Sequence, residues 1–137
     1  MTEHAYTDPP GMPEDERMTD AELKVVREFL GLSLQWLADH LGVSLRTVQH
    51  WEQGKYAIPD GVRLSIGQLE TVAGQQVTAG VELLKDAADV AMAIPRAEKD
   101  CPAGCPWPPS WHRAVAARVA QEVPGLSIVY SDTTTQT

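Results

Sequence analysis

Residues 37–54, LADHLGVSLRTVQHWEQG, constrain the fold more than any other stretch of this 137-residue chain. Two runs with apolar residues at helical spacing lie on either side of the tripeptide Gly42-Val43-Ser44. Gly42 can adopt the positive φ angle that a tight corner requires, and the small side chain of Ala38 lets two helices approach at a steep angle. The stretch therefore predicts two short helices joined in the geometry of a helix-turn-helix.

Capping residues predict where the neighbouring helices begin and end. Thr19 followed by Glu22 is a capping-box pattern, and Gly31 is suited to end the helix that follows. Ser33 and Ser44 are good N-cap residues for the second and third helices. We therefore predict that order begins near residue 19, with three short helices in succession.

The second half of the chain predicts a different mixture of elements. A fourth helix starts at Asp60 and reaches residue 84 or 88, with a break near Gly74 or Gly80. The apolar segment 89–95 and the alternating, β-branched segment 126–131 predict strands, and a helix capped by Ser110 lies between them. Pro and Cys residues mark residues 96–109 as a loop.

Charge is distributed unevenly along the chain, whose net charge is −8. Residues 1–18 carry five acidic residues against a single arginine and are rich in proline, which predicts a disordered acidic tail. Residues 19–64 carry six acidic and five basic residues and are therefore nearly neutral. A nucleic-acid contact in that region would involve few phosphates, so that contacts to bases must contribute much of the affinity.

Several classes of protein are disfavoured by what the sequence lacks. No segment is apolar enough to span a bilayer and no signal peptide is evident, so we expect a cytoplasmic protein with no membrane partner. Glycine-rich phosphate loops and nucleophile–base motifs are absent, so we expect neither an enzyme nor a cofactor. Cys101, Cys105 and His112 offer three zinc ligands where a structural site normally uses four, and a loop held by proline and tryptophan packing is the preferred interpretation.

The third predicted helix carries an unusual set of polar residues on its outer side. Arg46, Thr47, Gln49 and His50 contribute little to a helix that only packs, and they suit a helix that enters a nucleic-acid groove. Simpler interpretations exist: His50 is only solvated, or the stretch belongs to another helical bundle. Trp36 and Trp51 are interpreted as core or subunit contacts.

Residues 20–64 resemble the Xre/Cro family of helix-turn-helix DNA-binding proteins. The likeness rests on Arg27, on LADHLGVS at 37–44, on Val48 and on WEQGK at 51–55. A looser likeness extends to a subgroup that includes the anti-CRISPR-associated autorepressors, in which an N-terminal module reads DNA and the C-terminal part joins two subunits. The resemblance implies a mainly α fold: a lambda-repressor-like helix-turn-helix domain of four to five helices, followed by a small α+β dimerisation region.

The resemblance also implies roles for individual residues. The third helix would lie in the major groove, where an arginine such as Arg46 can bond guanine O6 and N7 together. Many relatives have a phosphate-binding glutamine at the position of Leu34. This chain departs from the family there, so the resemblance does not imply that phosphate contact. Arg27 and Glu52 would form a structural ion pair. The implied DNA contacts are Ser33, Gln35, Ser44, Leu45, Arg46, Thr47, Gln49, His50, Lys55 and Tyr56.

These expectations combine into a domain plan: an acidic tail at 1–18, a DNA-binding domain at 19–78, a dimerisation region at 79–131 and a disordered tail at 132–137. The predicted function is a homodimeric repressor that binds an inverted repeat in double-stranded DNA. Alternatives are an antitoxin-like or adaptor protein that acts through a protein partner, and an RNA-binding protein. The expected dimer contacts are Trp111, Val115, Val119, Ile128 and Tyr130.

Overall fold

The computed structural model describes residues 17–87 and 89–134, together with residue 13. The described chain is mainly helical with one small sheet, and it divides into two compact units, residues 1–71 and 72–137. The predicted tail at 1–18 lies almost wholly outside the described residues. The elements in order are α1 (Asp20–Phe29), α2 (Leu34–Leu41), α3 (Leu45–Glu52), α4 (Asp60–Leu84), β1 (Ala91–Ile94), α5 (Pro109–Glu122), β2 (Ser127–Tyr130) and α6 (Ser131–Thr134).

Side-chain caps begin each of the first three helices, as the sequence predicts. Thr19 Oγ1 accepts from the Glu22 N–H at 3.0 Å, and Glu22 Oε1 accepts from the Thr19 N–H at 2.8 Å, which completes the capping box of α1. The hydrogen bonds from Thr19 also lower the pKa of the Glu22 carboxyl. Ser33 and Ser44 cap α2 and α3 by accepting from backbone N–H groups at 3.0 and 3.1 Å.

The corner between α2 and α3 is as tight as its sequence requires. Gly42 has a φ of 73°, in the left-handed region that glycine adopts without strain. The next amide, that of Val43, donates to the Ala38 carbonyl at 3.0 Å, which satisfies an acceptor at the end of α2. Ala38 is fully buried, so α2 and α3 pack closely at this point.

The core of the first unit is formed by one apolar face from each of its helices. Truncating one of its fully buried leucine or isoleucine side chains to alanine would cost about 2–5 kcal/mol. The completely buried members are Leu23, Leu37, Ala38, Val48, Val62 and Ile66.

Helix α4 runs without the predicted break from Asp60 to Leu84. A Cβ built on Gly74 would meet no atom within 4 Å, so no neighbouring group presses on the helix at this position. A single glycine costs a helix only about 1 kcal/mol relative to alanine, which the surrounding helical residues offset. The sequence-based domain boundary, after residue 78, falls inside this helix, whereas the two compact units divide at residues 71 and 72.

The second unit contains a β–α–β arrangement. Strands β1 and β2 lie parallel, with Ala91 opposite Ser127 and Ile94 opposite Tyr130, and α5 connects them. Helix α5 begins at Pro109 with Pro108 as its N-cap, not at the predicted cap Ser110. Proline is well suited to the first helical position because its fixed φ fits and its missing N–H would have had no partner there.

The end of the described chain is ordered further than predicted. Residues expected to belong to a disordered tail instead form the short helix α6. Arg96 Nε donates to Asp132 Oδ2 at 2.8 Å, and its guanidinium carbon lies 4.0 Å from the centre of the Tyr130 ring. The pKa of the Asp132 carboxyl is lowered by this bond to Arg96. Within the described ranges, no helix is both long and apolar enough to cross a membrane.

Candidate nucleic-acid interface

A buried ion pair holds α3 from its inner side. Arg27 donates from Nε and Nη2 to the two carboxylate oxygens of Glu52, at 2.7 and 3.1 Å, and from Nη1 to the Leu32 carbonyl at 2.9 Å. The two side chains are only 9% and 8% exposed. The bond to Glu52 raises the pKa of the Arg27 guanidinium. The two residues predicted to pair are therefore in contact, and they tie α1 to the end of α3.

The outer side of α3 presents a polar surface. Arg46 is exposed, and its Nε donates to Nε2 of the half-buried His50 at 3.4 Å, one helical turn along. The Ser44 and Thr47 hydroxyls lie 2.8 Å apart, so the cap also fixes the Thr47 side chain. Gln49 and Leu45 are half-buried on the same helix. The structure thus brings the predicted groove-facing residues together on one short helix.

His50 lies in surroundings that favour its neutral form. Its pKa is lowered first by burial and then by the positive charges of Lys55 and Arg46. The edge of its ring contacts the Tyr56 ring, with 5.3 Å between ring centres. Since Nε2 accepts from Arg46, a neutral His50 positions that guanidinium, and a protonated His50 could not accept the bond.

The segment after α3 contains a glycine that lies close to the Asp20 side chain. Gly54 has a φ of 77°, and a Cβ built on it would lie 2.7 Å from Asp20 Oδ2. The Lys55 amide donates to the His50 carbonyl at 2.9 Å, while the side chains of Lys55 and Tyr56 are exposed. The turn therefore holds a cation and an aromatic ring beside the outer side of α3.

At the start of α2, part of the hydrogen-bonding capacity of the side chains is used within the helix. Ser33 and Gln35 are exposed, but the Gln35 amide donates to Asp39 Oδ1 at 2.8 Å. The rings of Trp36 and His40 stack, with centres 4.9 Å apart and planes inclined by 14°. The sequence did not predict this stack, although the i, i+4 spacing of Trp36 and His40 was the available signal for it.

The comparison with known families places this arrangement in a group. A family model described as Aca2/YdiL-like matches residues 18–94, which span the first unit and part of the second. The chain belongs to the Aca2/YdiL-like family. This match supports the looser of the two likenesses found in the sequence, the one to the autorepressor subgroup.

One relative is a named member of this group. The Aca2 repressor of Pectobacterium phage ZF40 is 37% identical over 70 residues, which cover 50% of this chain. The aligned region spans 60% of the phage protein's length, so the likeness does not extend over the whole of either chain.

The residues predicted to join two subunits differ in exposure in this Aca2/YdiL-like chain, and the dimer contact itself stays a prediction. Trp111, Val115 and Val119 of the second unit are 4%, 6% and 0% exposed. The later turns of α4 belong to this unit, and a Cβ at Gly80 would lie 3.0 Å from Val119 Cγ2. Ile128 is 41% exposed, and Tyr130 lies beneath Arg96.

The cysteine loop of this Aca2/YdiL-like chain has no metal-binding arrangement in the part that the structure describes. No group of three or more His, Cys, Asp or Glu side chains there could hold a metal ion. Cys101 and Cys105 are free thiols, and Cys105 Sγ lies 3.5 Å from His112 Nε2. The Trp107 and Trp111 rings stack with 4.7 Å between their centres, which is the tryptophan packing that the sequence favoured over zinc.

Proposed function

We propose that this chain is a transcriptional repressor that binds double-stranded DNA as a homodimer, with α3 in the major groove of each half of an inverted repeat. The observation that carries the proposal is the outer side of α3, where Arg46, Gln49 and His50 lie on a helix held from behind by a buried ion pair. Such a rigid, polar helix meets the geometric requirement of base recognition.

Two further observations support this function. The relative in Pectobacterium phage ZF40 is named a repressor, which is a regulatory role and not a catalytic one. The amides at the starts of α2 and α3 lie beside Ser33 and Ser44, and helix N-termini attract phosphate through their free N–H groups and dipole. Lys55 and Tyr56 would add contacts to the DNA backbone after α3.

The dimer is part of the proposal because one module offers few contacts. The first unit has few exposed cations, and a single recognition helix buries too little surface for tight binding. Two copies related by a two-fold axis would place their α3 helices about 34 Å apart, one turn of DNA. Of the predicted dimer residues, Ile128 on β2 keeps the exposure that such a contact needs.

Selection from random duplexes tests the proposal directly. Fragments bound by the full chain at low salt should share an inverted repeat whose half-sites are centred about one helical turn apart. A selected pool with no shared sequence would contradict specific DNA binding, and enrichment of single half-sites would contradict the dimer.

An arginine pair provides a matched test of the groove assignment. Arg46→Ala should lower the affinity of the dimer for the selected site by about 2–6 kcal/mol, since each of the two half-sites loses a contact of about 1–3 kcal/mol, while non-specific affinity changes little. Arg113→Ala removes an exposed arginine from α5 and should leave both affinities unchanged. Equal losses in the two variants, measured by gel shift at one salt concentration, would argue against the role of α3.

A protein partner is the second candidate function. The net charge of −8 favours it, because an acidic protein is repelled by nucleic acid at long range. An adaptor of this kind should co-purify with its partner and show no preference among duplexes. Preference for a structured RNA over every duplex would instead favour the RNA-binding alternative.

A further inference from the structure

The loop before α5 brings two thiols to one place. The Cys105 amide donates to the Pro102 carbonyl at 3.0 Å, and Gly104, third in this four-residue turn, has a φ of 80°. That combination is a tight turn whose third position needs glycine. Cys101 precedes the turn and Cys105 ends it, so the backbone reverses between the two cysteines.

Both sulfur atoms lie against the same acceptor. The Sγ atoms of Cys101 and Cys105 are 3.8 and 3.9 Å from the Trp107 carbonyl oxygen. Because both sulfur atoms lie at these distances from one oxygen atom, the distance between the two sulfur atoms cannot exceed the sum of the two distances. Both residues are half-buried, so a small reagent can reach them.

His112 completes the cluster as a base. Its Nε2 lies 3.5 Å from Cys105 Sγ, and burial lowers the pKa of the imidazole, so the ring is neutral and can accept a proton. Burial, followed by the nearby Cys105, raises the pKa of the Cys101 thiol, which therefore stays protonated near neutral pH. The two cysteines are thus unequal: one has a base beside it and the other is a less reactive thiol.

We propose that Cys101 and Cys105 form a reversible intrachain disulfide on exposure to a hydroperoxide, with Cys105 as the attacking thiol and His112 as its base. This inference is independent of DNA binding.

The reaction balances with one hydroperoxide. Cys105 gives its proton to His112, and the thiolate attacks the peroxide oxygen, which forms the S–O bond of a sulfenic acid and breaks the O–O bond. With hydrogen peroxide the leaving group is hydroxide; it takes the proton back from His112 and leaves as one water. Cys101 sulfur then attacks the Cys105 sulfenic acid, the S–O bond breaks and a second water leaves. Two thiols are oxidised by two electrons in total, and the peroxide is reduced by the same two electrons.

Closing the bridge changes the surroundings of a tryptophan. The two sulfur atoms beside the Trp107 carbonyl oxygen lose their hydrogen atoms, because a disulfide has no hydrogen to donate. The Trp107 ring stacks on Trp111, which is 4% exposed in the core of the second unit. The oxidised state should therefore differ in tryptophan fluorescence from the reduced state.

Intact-mass spectrometry of the full chain tests the proposal. Limited hydrogen peroxide should lower the mass by about 2 Da, remove both sites of iodoacetamide labelling and shift the fluorescence, and dithiothreitol should reverse all three. Chain-to-chain disulfides, or oxidation no faster than that of free cysteine, would overturn it. The second outcome would leave the thiols with a structural role only, as neighbours of the Ala97 and Trp107 carbonyls.

Three variants separate the roles of the residues. Cys101→Ser should accumulate a sulfenic acid at Cys105, whereas Cys105→Ser should leave a thiol that oxidises slowly. His112→Gln should slow the first step by about tenfold or more, since general-base assistance is lost. Equal oxidation rates for the two serine variants would overturn the assignment of Cys105, and an unchanged rate in His112→Gln would overturn that of the base. Circular dichroism of each variant checks that it is folded.

Discussion

The Arg27–Glu52 pair shows how much can depend on one buried contact. The guanidinium makes two bonds to the carboxylate and a third to a carbonyl, so its buried N–H groups have acceptors. Removing one partner of such a pair leaves an uncompensated charge in a poorly solvated place. The pair is best understood as a device that fixes the position of α3, whatever its net contribution to stability.

Glu52→Gln should lower the free energy of unfolding by about 3–5 kcal/mol, because Arg27 keeps its charge but loses its counter-ion. Denaturant titration followed by circular dichroism measures the change. Glu122→Gln, an exposed change at the end of α5, is the control and should stay within about 0.5 kcal/mol of the parent. Similar values for both variants would show that the pair does not brace the helix.

His50 gives a prediction about pH. Its folded pKa lies below the ordinary value of 6.5, so the folded state resists protonation more than the unfolded state does. The resulting stability is present above pH 6.5 and is lost as pH falls through the lower folded pKa. Titration of the His50 ring by NMR should give a midpoint below 6.5. A midpoint at or above that value would show that burial and the charges of Lys55 and Arg46 do not favour the neutral ring.

At the scale of elements, the caps of helices could be predicted from the sequence, whereas packing between helices that are distant along the chain could not. Thr19, Ser33 and Ser44 could be assigned as caps because capping depends on a few neighbouring residues. The start of α5 was misplaced because a proline pair competes with Ser110 as a helix start. The sequence did not predict that α4 continues past Gly74 into the second unit, because no local pattern reveals which helix packs on another.

The two glycines inside α4 should respond differently to alanine. Gly74 has no atom within 4 Å of a built Cβ, so Gly74→Ala should raise stability by about 0.4–1 kcal/mol. At Gly80 the new methyl would lie 3.0 Å from Val119 Cγ2, so the same helix gain is offset by crowding. Thermal unfolding of the two variants should place Gly74→Ala above Gly80→Ala. The reverse order would mean that α5 does not pack closely on Gly80.

At the scale of the whole molecule, acidity and proposed DNA binding have to be reconciled. The near-neutral balance of residues 19–64 leaves few cations for phosphates. The sequence could place Arg46, Gln49 and His50 on one helix because their positions follow helical spacing. The dimer surface stays a prediction, because it depends on which apolar faces the chain already covers.

Lys55 should contribute to the salt dependence of DNA binding. Each phosphate contact steepens the slope of log affinity against log salt by about 0.9, so Lys55→Ala should make the slope of a dimer shallower by about 2. Lys99→Ala, which removes an exposed lysine from the second unit, should leave the slope as it is. Parallel slopes for parent and Lys55→Ala would remove Lys55 from the interface.

The way α3 is anchored has a practical consequence. Val48 and Trp51 insert into the core and Glu52 is held from behind, while Arg46, Gln49 and His50 take no part in that core. The outer side chains can therefore be exchanged as a set with little expected loss of folding. A library randomised at these three positions on an unchanged framework should yield folded variants, from which proteins of altered target preference could be chosen.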